Sequence, residues 1–114
     1  EQLHRRMMVA KRSGDYGTTL RLNREVHLGI YALSRRTELL ALIESLWVRT
    51  GPYLNLIYKD ADQKVPNSHE HEKLFAALRA RDPEAAAASI ARDIVKGGAP
   101  VVKALLAQAG TRAA

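Results

Sequence analysis

Three polar side chains stand at helical spacing beside apolar residues, and their types are those that bind divalent cations. Asn23 and His27 are four residues apart, so both lie on one face of a predicted helix. His71 precedes Phe75 by four residues and should point in the same direction as that core residue. An amide oxygen and two imidazole nitrogens are therefore expected near buried helix faces.

A carboxylate extends this set of candidate ligands. Asp93 follows Ile90 by three residues, which places it close to the buried face of a later helix. Imidazole and carboxylate groups that converge from several helices of a bundle can hold a divalent cation. A single His on an apolar face is, however, more often a hydrogen-bonded core residue. The spacing alone leaves both interpretations open.

The other two histidines are given no role. His69 is two residues from His71, so on a helix the two rings point away from each other, and His69 is expected to face solvent. His4 belongs to a basic first turn that we expect to fray.

Signs of a catalytic centre are missing from the sequence. The chain has no Cys, which rules out a thiol nucleophile, a thiolate metal site and a disulfide framework. It has no Gly-x-Ser-x-Gly motif and no glycine-rich phosphate loop after a strand. The acids nearest to His71, Glu70 and Glu72, lie on other faces of its helix. We therefore expect that the protein is not an enzyme.

Helices must position these residues, because Ala, Leu, Arg, Glu and Lys fill most of the sequence and strand alternation is scarce. An all-α antiparallel helical bundle is predicted. Helix starts are indicated at Asp15, at Thr37 and at Asp82-Pro83, and Asn67 or Ser68 is expected to cap a further helix. The first two helices are predicted at about 2–12 and 16–34.

Glycine and proline predict two breaks and one loop. Gly51-Pro52 should kink or interrupt the third helix, and Gly97 to Pro100 should break or bend the fifth. The third helix carries a broad apolar stripe, formed by Leu39, Leu40, Leu42, Ile43, Leu46 and Trp47. The polar stretch 59–67 is expected to be the longest loop.

Length and charge favour one basic helical domain. The 114 residues fit a single domain and carry a net charge of +6. Residues 1–36 hold eight basic and three acidic residues, a bias that is compatible with nucleic-acid binding or with the solvent side of helices. No run of about 20 apolar residues and no signal peptide is present, so a soluble cytoplasmic protein is expected.

Two segments resemble a known family. The first is Asn23-Arg24-Glu25-Val26-His27, which is similar to an Asp-x-x-Phe-His helix. The second runs from Glu70-His71 to Asp82 and is similar to a Glu-His-x-x-Ile-Leu-x-Ala-Leu-x-x-x-Asp stretch. Together they resemble the FadR-type C-terminal domain, abbreviated FCD, an all-helical effector domain of GntR-family bacterial transcription regulators. The resemblance covers roughly residues 3–105.

The resemblance implies a metal site inside the helical domain. Family members hold a divalent ion, zinc or nickel, with one Asp and three His, and the ion often helps to bind a carboxylate metabolite. His27 and His71 match two of the histidines, Asn23 stands where the family commonly has Asp, and Asp93 stands where the third His is expected. Asn weakens the set because its amide oxygen is neutral, and Asp93 restores one negative charge.

The third helix carries two candidate residues for binding an anionic effector. Arg49 could form a bidentate pair with a carboxylate, and Tyr53 lies one turn further on. A surface Arg that lays its aliphatic stem along the helix is the alternative for Arg49.

The resemblance also implies partners. Family members carry a winged helix DNA-binding domain before this one, and that domain and one or two early helices are not among these residues. We therefore expect residues 1–114 to be the effector-binding and dimerisation part of a longer regulator, incomplete at its N-terminal side and forming a homodimer. A metal-dependent enzyme and a stand-alone basic nucleic-acid-binding module are the alternatives.

Overall fold

A computed structural model describes residues 1–59 and 69–112, and in these ranges the chain forms five α-helices and no strand. The helices are α1 (Gln2–Arg12), α2 (Tyr16–Ala32), α3 (Thr37–Lys59), α4 (His69–Ala80) and α5 (Pro83–Arg112). The all-α fold class is therefore confirmed. Lys59 ends α3, and the rest of the predicted loop, with the caps expected at Asn67 or Ser68, lies outside the described residues.

The chain divides into two compact units, residues 1–60 and residues 61–114. In the first unit, α1 packs on α2 and α2 packs on α3; in the second unit, α4 packs on α5. The buried apolar side chains of the described residues come from both units, and they are Met7, Ala10, Leu22, Val26, Leu74 and Ala77.

Two of the predicted helix starts are confirmed by side-chain caps. The Asp15 carboxylate accepts a hydrogen bond from the Thr18 backbone N–H at 3.0 Å, and the Asp82 carboxylate accepts one from the Ala85 N–H at 2.9 Å. Each bond satisfies one of the N–H groups that the first turn of a helix leaves without an intrahelical acceptor. Local turn chemistry is thus enough to fix where α2 and α5 begin.

The third helix has its cap one position earlier than predicted. Thr37 is already helical, and the Arg36 carbonyl accepts the first helical bond from the Leu40 N–H, so Arg36 occupies the cap position. The Thr37 hydroxyl donates to the Glu38 carboxylate instead of accepting from the backbone. The predicted cap at Thr37 is wrong, although the predicted start of the helix is correct.

A left-handed residue ends both α1 and α4. Gly14 has a φ of 74°, and its N–H donates to the Lys11 carbonyl, while the next N–H, of Asp15, donates to the Ala10 carbonyl. This pair of bonds is the Schellman arrangement. The same residue, Asp15, then caps α2, so a very short connection reverses the chain.

Arg81 repeats this geometry without glycine. Its φ is 56°, its N–H donates to the Leu78 carbonyl, and the Asp82 N–H donates to the Ala77 carbonyl. A side chain in this conformation brings Cβ close to the following carbonyl and costs roughly 1–2 kcal/mol. Gly avoids that contact.

Replacing Arg81 by Gly is therefore expected to stabilise the protein by about 0.5–1 kcal/mol, because relief of the strain outweighs the entropy that Gly adds to the unfolded chain. Urea denaturation followed by circular dichroism measures the change. Arg81→Ala is the matched control, since it removes the same side chain but retains Cβ. Equal stability of Arg81→Gly and Arg81→Ala would contradict backbone strain at position 81.

The helix α3 continues through Gly51-Pro52 and α5 continues through 97–100, so an interruption of the third helix and a break of the fifth are wrong, whereas the kink and the bend stay predictions. Pro52 removes one N–H from the helix interior, and the hydrogen bonds on either side maintain the helix. The Thr50 hydroxyl also donates to the carbonyls of Leu46 and Trp47 one turn earlier. No helix among the described residues is both long enough and apolar enough to cross a membrane.

The apolar stripe of α3 is buried only in part. The side chains spaced to meet α2 are half-buried, and they are Leu40, Ile43 and Trp47. The neighbouring face consists of Leu39, Leu42 and Leu46, which are 52%, 59% and 49% exposed. Among the described residues this second face stays exposed, and exposed apolar faces of this kind are typical of protein–protein contacts.

Candidate functional site

The second unit brings two of the proposed metal ligands together. His71 lies in the first turn of α4 and is 3% exposed, and Asp93 lies on α5 and is half-buried. The His71 Nε2 atom is 3.4 Å from the Asp93 Oδ2 atom. Both helices are needed for this pair, because the tight turn at Arg81-Asp82 returns α5 alongside α4.

The separation of these two atoms fits a shared tetrahedral ion. Zinc binds His nitrogen at roughly 2.0–2.1 Å and carboxylate oxygen at roughly 2.0–2.2 Å, and the tetrahedral angle then sets the two ligand atoms about 3.4 Å apart. An ordinary N–H···O hydrogen bond is shorter, at roughly 2.7–3.2 Å. A neutral imidazole and an ionised carboxylate are also ligands that zinc and nickel accept. The donor pair therefore suits a divalent transition metal.

His27 on α2 is buried and lies beside two aromatic side chains of the first unit. Its ring is 3% exposed, and its centroid lies 5.3 Å from that of Trp47 on α3. The Nδ1 atom is 3.1 Å from the hydroxyl oxygen of Tyr31, one turn further along α2. Asn23, one turn earlier on the same helix, is half-buried. The shared helix face predicted for Asn23 and His27 is thus present.

The Tyr31 contact bears on the chemistry of His27. A His that binds a metal through one ring nitrogen usually donates its other N–H to an oxygen, which fixes the tautomer and the ring orientation. If Nδ1 carries the proton, it can donate to the Tyr31 oxygen, and Nε2 then has the lone pair that a metal needs. The surroundings of His27 in its own unit are therefore those of a potential ligand.

The two residues predicted to bind an effector lie on the exposed side of α3. Arg49 is exposed and Tyr53 is 42% exposed, and they are one helical turn apart. Both side chains could therefore approach a soluble anion from the same side of the helix. Their assignment to an effector site stays a prediction.

For the remaining two histidines, one prediction is confirmed and the other is wrong. His69 is exposed, as expected, and its Nδ1 atom lies 3.6 Å from the Glu72 carboxylate. His4, which was expected to fray, is helical and buried. Its spacing of three residues from Met7, another buried residue of α1, was the available signal, because it places both on one helix face.

Sequence reasoning missed the ion-pair cluster around Glu70. This carboxylate is only 4% exposed. Its oxygens lie 2.8 Å from Lys96 Nζ, 3.0 Å from Arg92 Nε and 3.3 Å from Lys73 Nζ. Arg92 and Lys96 are on α5, whereas Lys73 is one turn away on α4. The signal was the pair of basic residues four apart on α5, on a face next to that of Asp93.

These cations change the acidity of Glu70. Hydrogen bonds from Lys96 and Arg92, followed by a weaker effect of Lys73, outweigh burial and lower the pKa of the Glu70 carboxyl from its ordinary 4.5 to about 2. Because the folded-state pKa is the lower one, ionised Glu70 stabilises the protein above pH 4.5. That contribution is lost as the pH falls from about 4.5 towards 2.

Glu70→Gln is expected to lower the melting temperature at pH 7 by several degrees, and the difference from the wild type should shrink below pH 4.5 and close near pH 2. Thermal denaturation between pH 2 and 7, in the presence of a chelator, measures it. Glu72→Gln is the control, because the Glu72 carboxylate is exposed and its pairing contributes little. A Glu70→Gln difference that stays constant over the whole range would contradict the ion-pair explanation.

Comparisons with known proteins agree on one family. The family described as the FCD domain matches residues 1–96, which include residues of both units. The chain is 34% identical over 86 residues to the HTH-type transcriptional regulator McbR of Escherichia coli (strain K12). The match covers 74% of this chain and 39% of that relative, so the chain spans about two fifths of the relative's length. No solved structure matches significantly.

Proposed function

The chain belongs to the FCD domain family, the regulatory effector domains of GntR-type transcription regulators, and from this premise we propose that it binds a small carboxylate metabolite, through a divalent metal, to control DNA binding by an attached winged helix domain. Both matches indicate a regulatory domain and not an enzyme. The relative McbR is an HTH-type regulator, which supports a DNA-binding partner domain.

The observation that carries the metal part of the proposal is the pair of His71 and Asp93. A buried imidazole and a half-buried carboxylate lie at the separation expected of two ligands on one ion. We propose His27 and Asn23 as the further ligands, from their positions in the family motif and from the surroundings of His27 in its own unit. The bound ion, zinc or nickel, would supply a positive centre for a carboxylate oxygen.

Metal analysis tests this part directly. Protein purified without a His tag should contain about one zinc or nickel ion per chain, or should take one up after removal of metal with a chelator and reloading. The absence of stoichiometric metal after loading with either ion would refute the metal site. The effector proposal would then depend on the residues of α3 alone.

Binding of the effector itself is expected to depend on Arg49. A guanidinium group pairs with a carboxylate through two parallel hydrogen bonds, so Arg49→Ala should weaken the binding of a small carboxylic acid by about tenfold or more. Calorimetric titration of a panel of organic acids measures the effect, and Arg35→Ala, at an exposed turn outside α3, is the control. Unchanged affinity in Arg49→Ala would exclude it from the site, and the same experiment on Tyr53→Phe tests its hydroxyl.

The regulatory consequence follows from linkage. An effector shifts a two-state equilibrium only by the difference between its affinities for the two states. We propose that this shift alters the spacing of the DNA-binding domains in a cytoplasmic homodimer. The exposed face of Leu39, Leu42 and Leu46 on α3 supports an association of this kind. Light scattering of the chain with and without metal tests the dimer.

A further inference from the structure

We infer that Glu70 and Arg92 form an ion-pair clamp that sets the rotation of α4 against α5 and thereby positions His71 opposite Asp93. Glu70 and Arg92 are separated by 22 residues, and so are His71 and Asp93, their respective next neighbours along the chain. Two adjacent residue pairs, which we call rungs, therefore connect α4 and α5. The metal consequence of this inference depends on the proposed function, whereas the positional consequence does not.

The geometry of the clamp suits a positioning role. Successive residues on a helix point about 100° apart, so the Glu70 rung and the His71 rung leave α4 in different directions. One rung alone allows α4 to rotate about its axis, but two rungs at different angles fix that rotation. Arg92 is itself held, because its Nη2 group donates to the hydroxyl of buried Ser89 at 3.2 Å. Arg92 therefore contacts a second group on its own helix besides Glu70.

The position of the carboxylate explains why the clamp should be strong. Glu70 is 4% exposed, so its ion pairs are shielded from water on the carboxylate side. Truncating one partner of a buried ion pair leaves the other partner poorly compensated. The Nε–H of Arg92 and its Nη2 group contact two different acceptors, Glu70 and Ser89, and Lys cannot reproduce this planar arrangement.

Lys73 provides a matched control within the same cluster. It also pairs with Glu70, but it lies three residues away on the same helix and so connects nothing across the two helices. Arg92→Met and Lys73→Met each remove one positive charge. Loss of a nearby positive charge favours the binding of a dication by Coulomb's law. The charge change alone would therefore raise metal affinity in both variants. A loss of affinity that occurs only in Arg92→Met cannot come from the lost charge.

The first measurement requires no metal. In the metal-stripped full chain, nuclear Overhauser contacts between the His71 ring protons and the Asp93 β protons should be present in the wild type and in Lys73→Met. They should weaken or vanish in Arg92→Met. Arg92→Lys, which keeps the charge, should be intermediate, and it serves as the test variant if Arg92→Met loses its helical circular dichroism. Retention of the contacts in the Arg92 variants would overturn the inference.

The second measurement is the affinity for zinc, determined by competition with a chelator. Arg92→Met should bind about tenfold to 100-fold more weakly than the wild type, and Lys73→Met should stay within about twofold. Equal affinities of the two variants would overturn the role of the clamp at the metal site. If the wild type binds no zinc while Arg92→Met loses the contacts, the metal proposal fails and the clamp stands.

Discussion

If the proposed metal site is correct, His71→Ala is expected to lower the affinity of the chain for zinc or nickel by at least about 100-fold, because it removes a proposed ligand outright, whereas loss of a supporting group costs about 10–100-fold. The ring is buried and its Nε2 atom faces the Asp93 carboxylate at 3.4 Å, so no solvent-exposed group can replace it without a change of structure. Competition titration against a chelator of known affinity measures the loss.

His69→Ala is the matched control for this experiment. It removes the same side chain two residues earlier in the same helix, but His69 is exposed and pairs only loosely with Glu72 at 3.6 Å. Its metal affinity should equal that of the wild type. Asp93→Asn provides a second approach, since it retains the shape of the side chain and removes the negative charge. If His69→Ala and His71→Ala lose affinity equally, the metal is bound on the surface and not at the proposed site.

The sequence allowed the candidate ligands to be chosen because their positions depend on local periodicity. Asp93 was placed near the buried face by its spacing from Ile90, and the second unit does bring it to His71. The FCD resemblance, now confirmed, independently selected the same two positions. Asp15 and Asp82 were identified as caps for a similar reason, because a cap depends on the three or four residues that follow it.

The features that were missed depend on contacts between distant residues. The Glu70 cluster joins residues 22 and 26 positions apart, and such pairs form only when two helices adopt one particular rotation. On local propensity, Gly51-Pro52 was expected to kink or interrupt α3, and the 97–100 segment was expected to break or bend α5. Propensity is a weak guide where the rest of a helix is well formed, and both helices continue. Arg81 in a left-handed conformation is a third case, because the sequence offers no glycine there.

Leu74→Ala is expected to destabilise the protein by about 2–5 kcal/mol, the largest stability change among these predictions. Leu74 is 1% exposed, and it shares this degree of burial with Leu22 alone among the large side chains described. Truncation removes three carbon atoms that are packed on all sides and leaves a cavity that the two helices can close only in part. Urea denaturation at neutral pH, in the presence of a chelator, measures the change without a contribution from metal.

Leu78 gives this experiment its control, since it is the same residue type one turn further along α4 but is 38% exposed. Leu78→Ala should cost below about 1 kcal/mol, because part of the side chain already contacts water in the folded state. The two residues are four apart and so share one face of α4, and their different burial is seen only in the folded structure. Comparable losses for the two variants would mean that Leu78 is also covered, by a second copy of the chain, and repeating the measurement over a range of protein concentrations would detect that association.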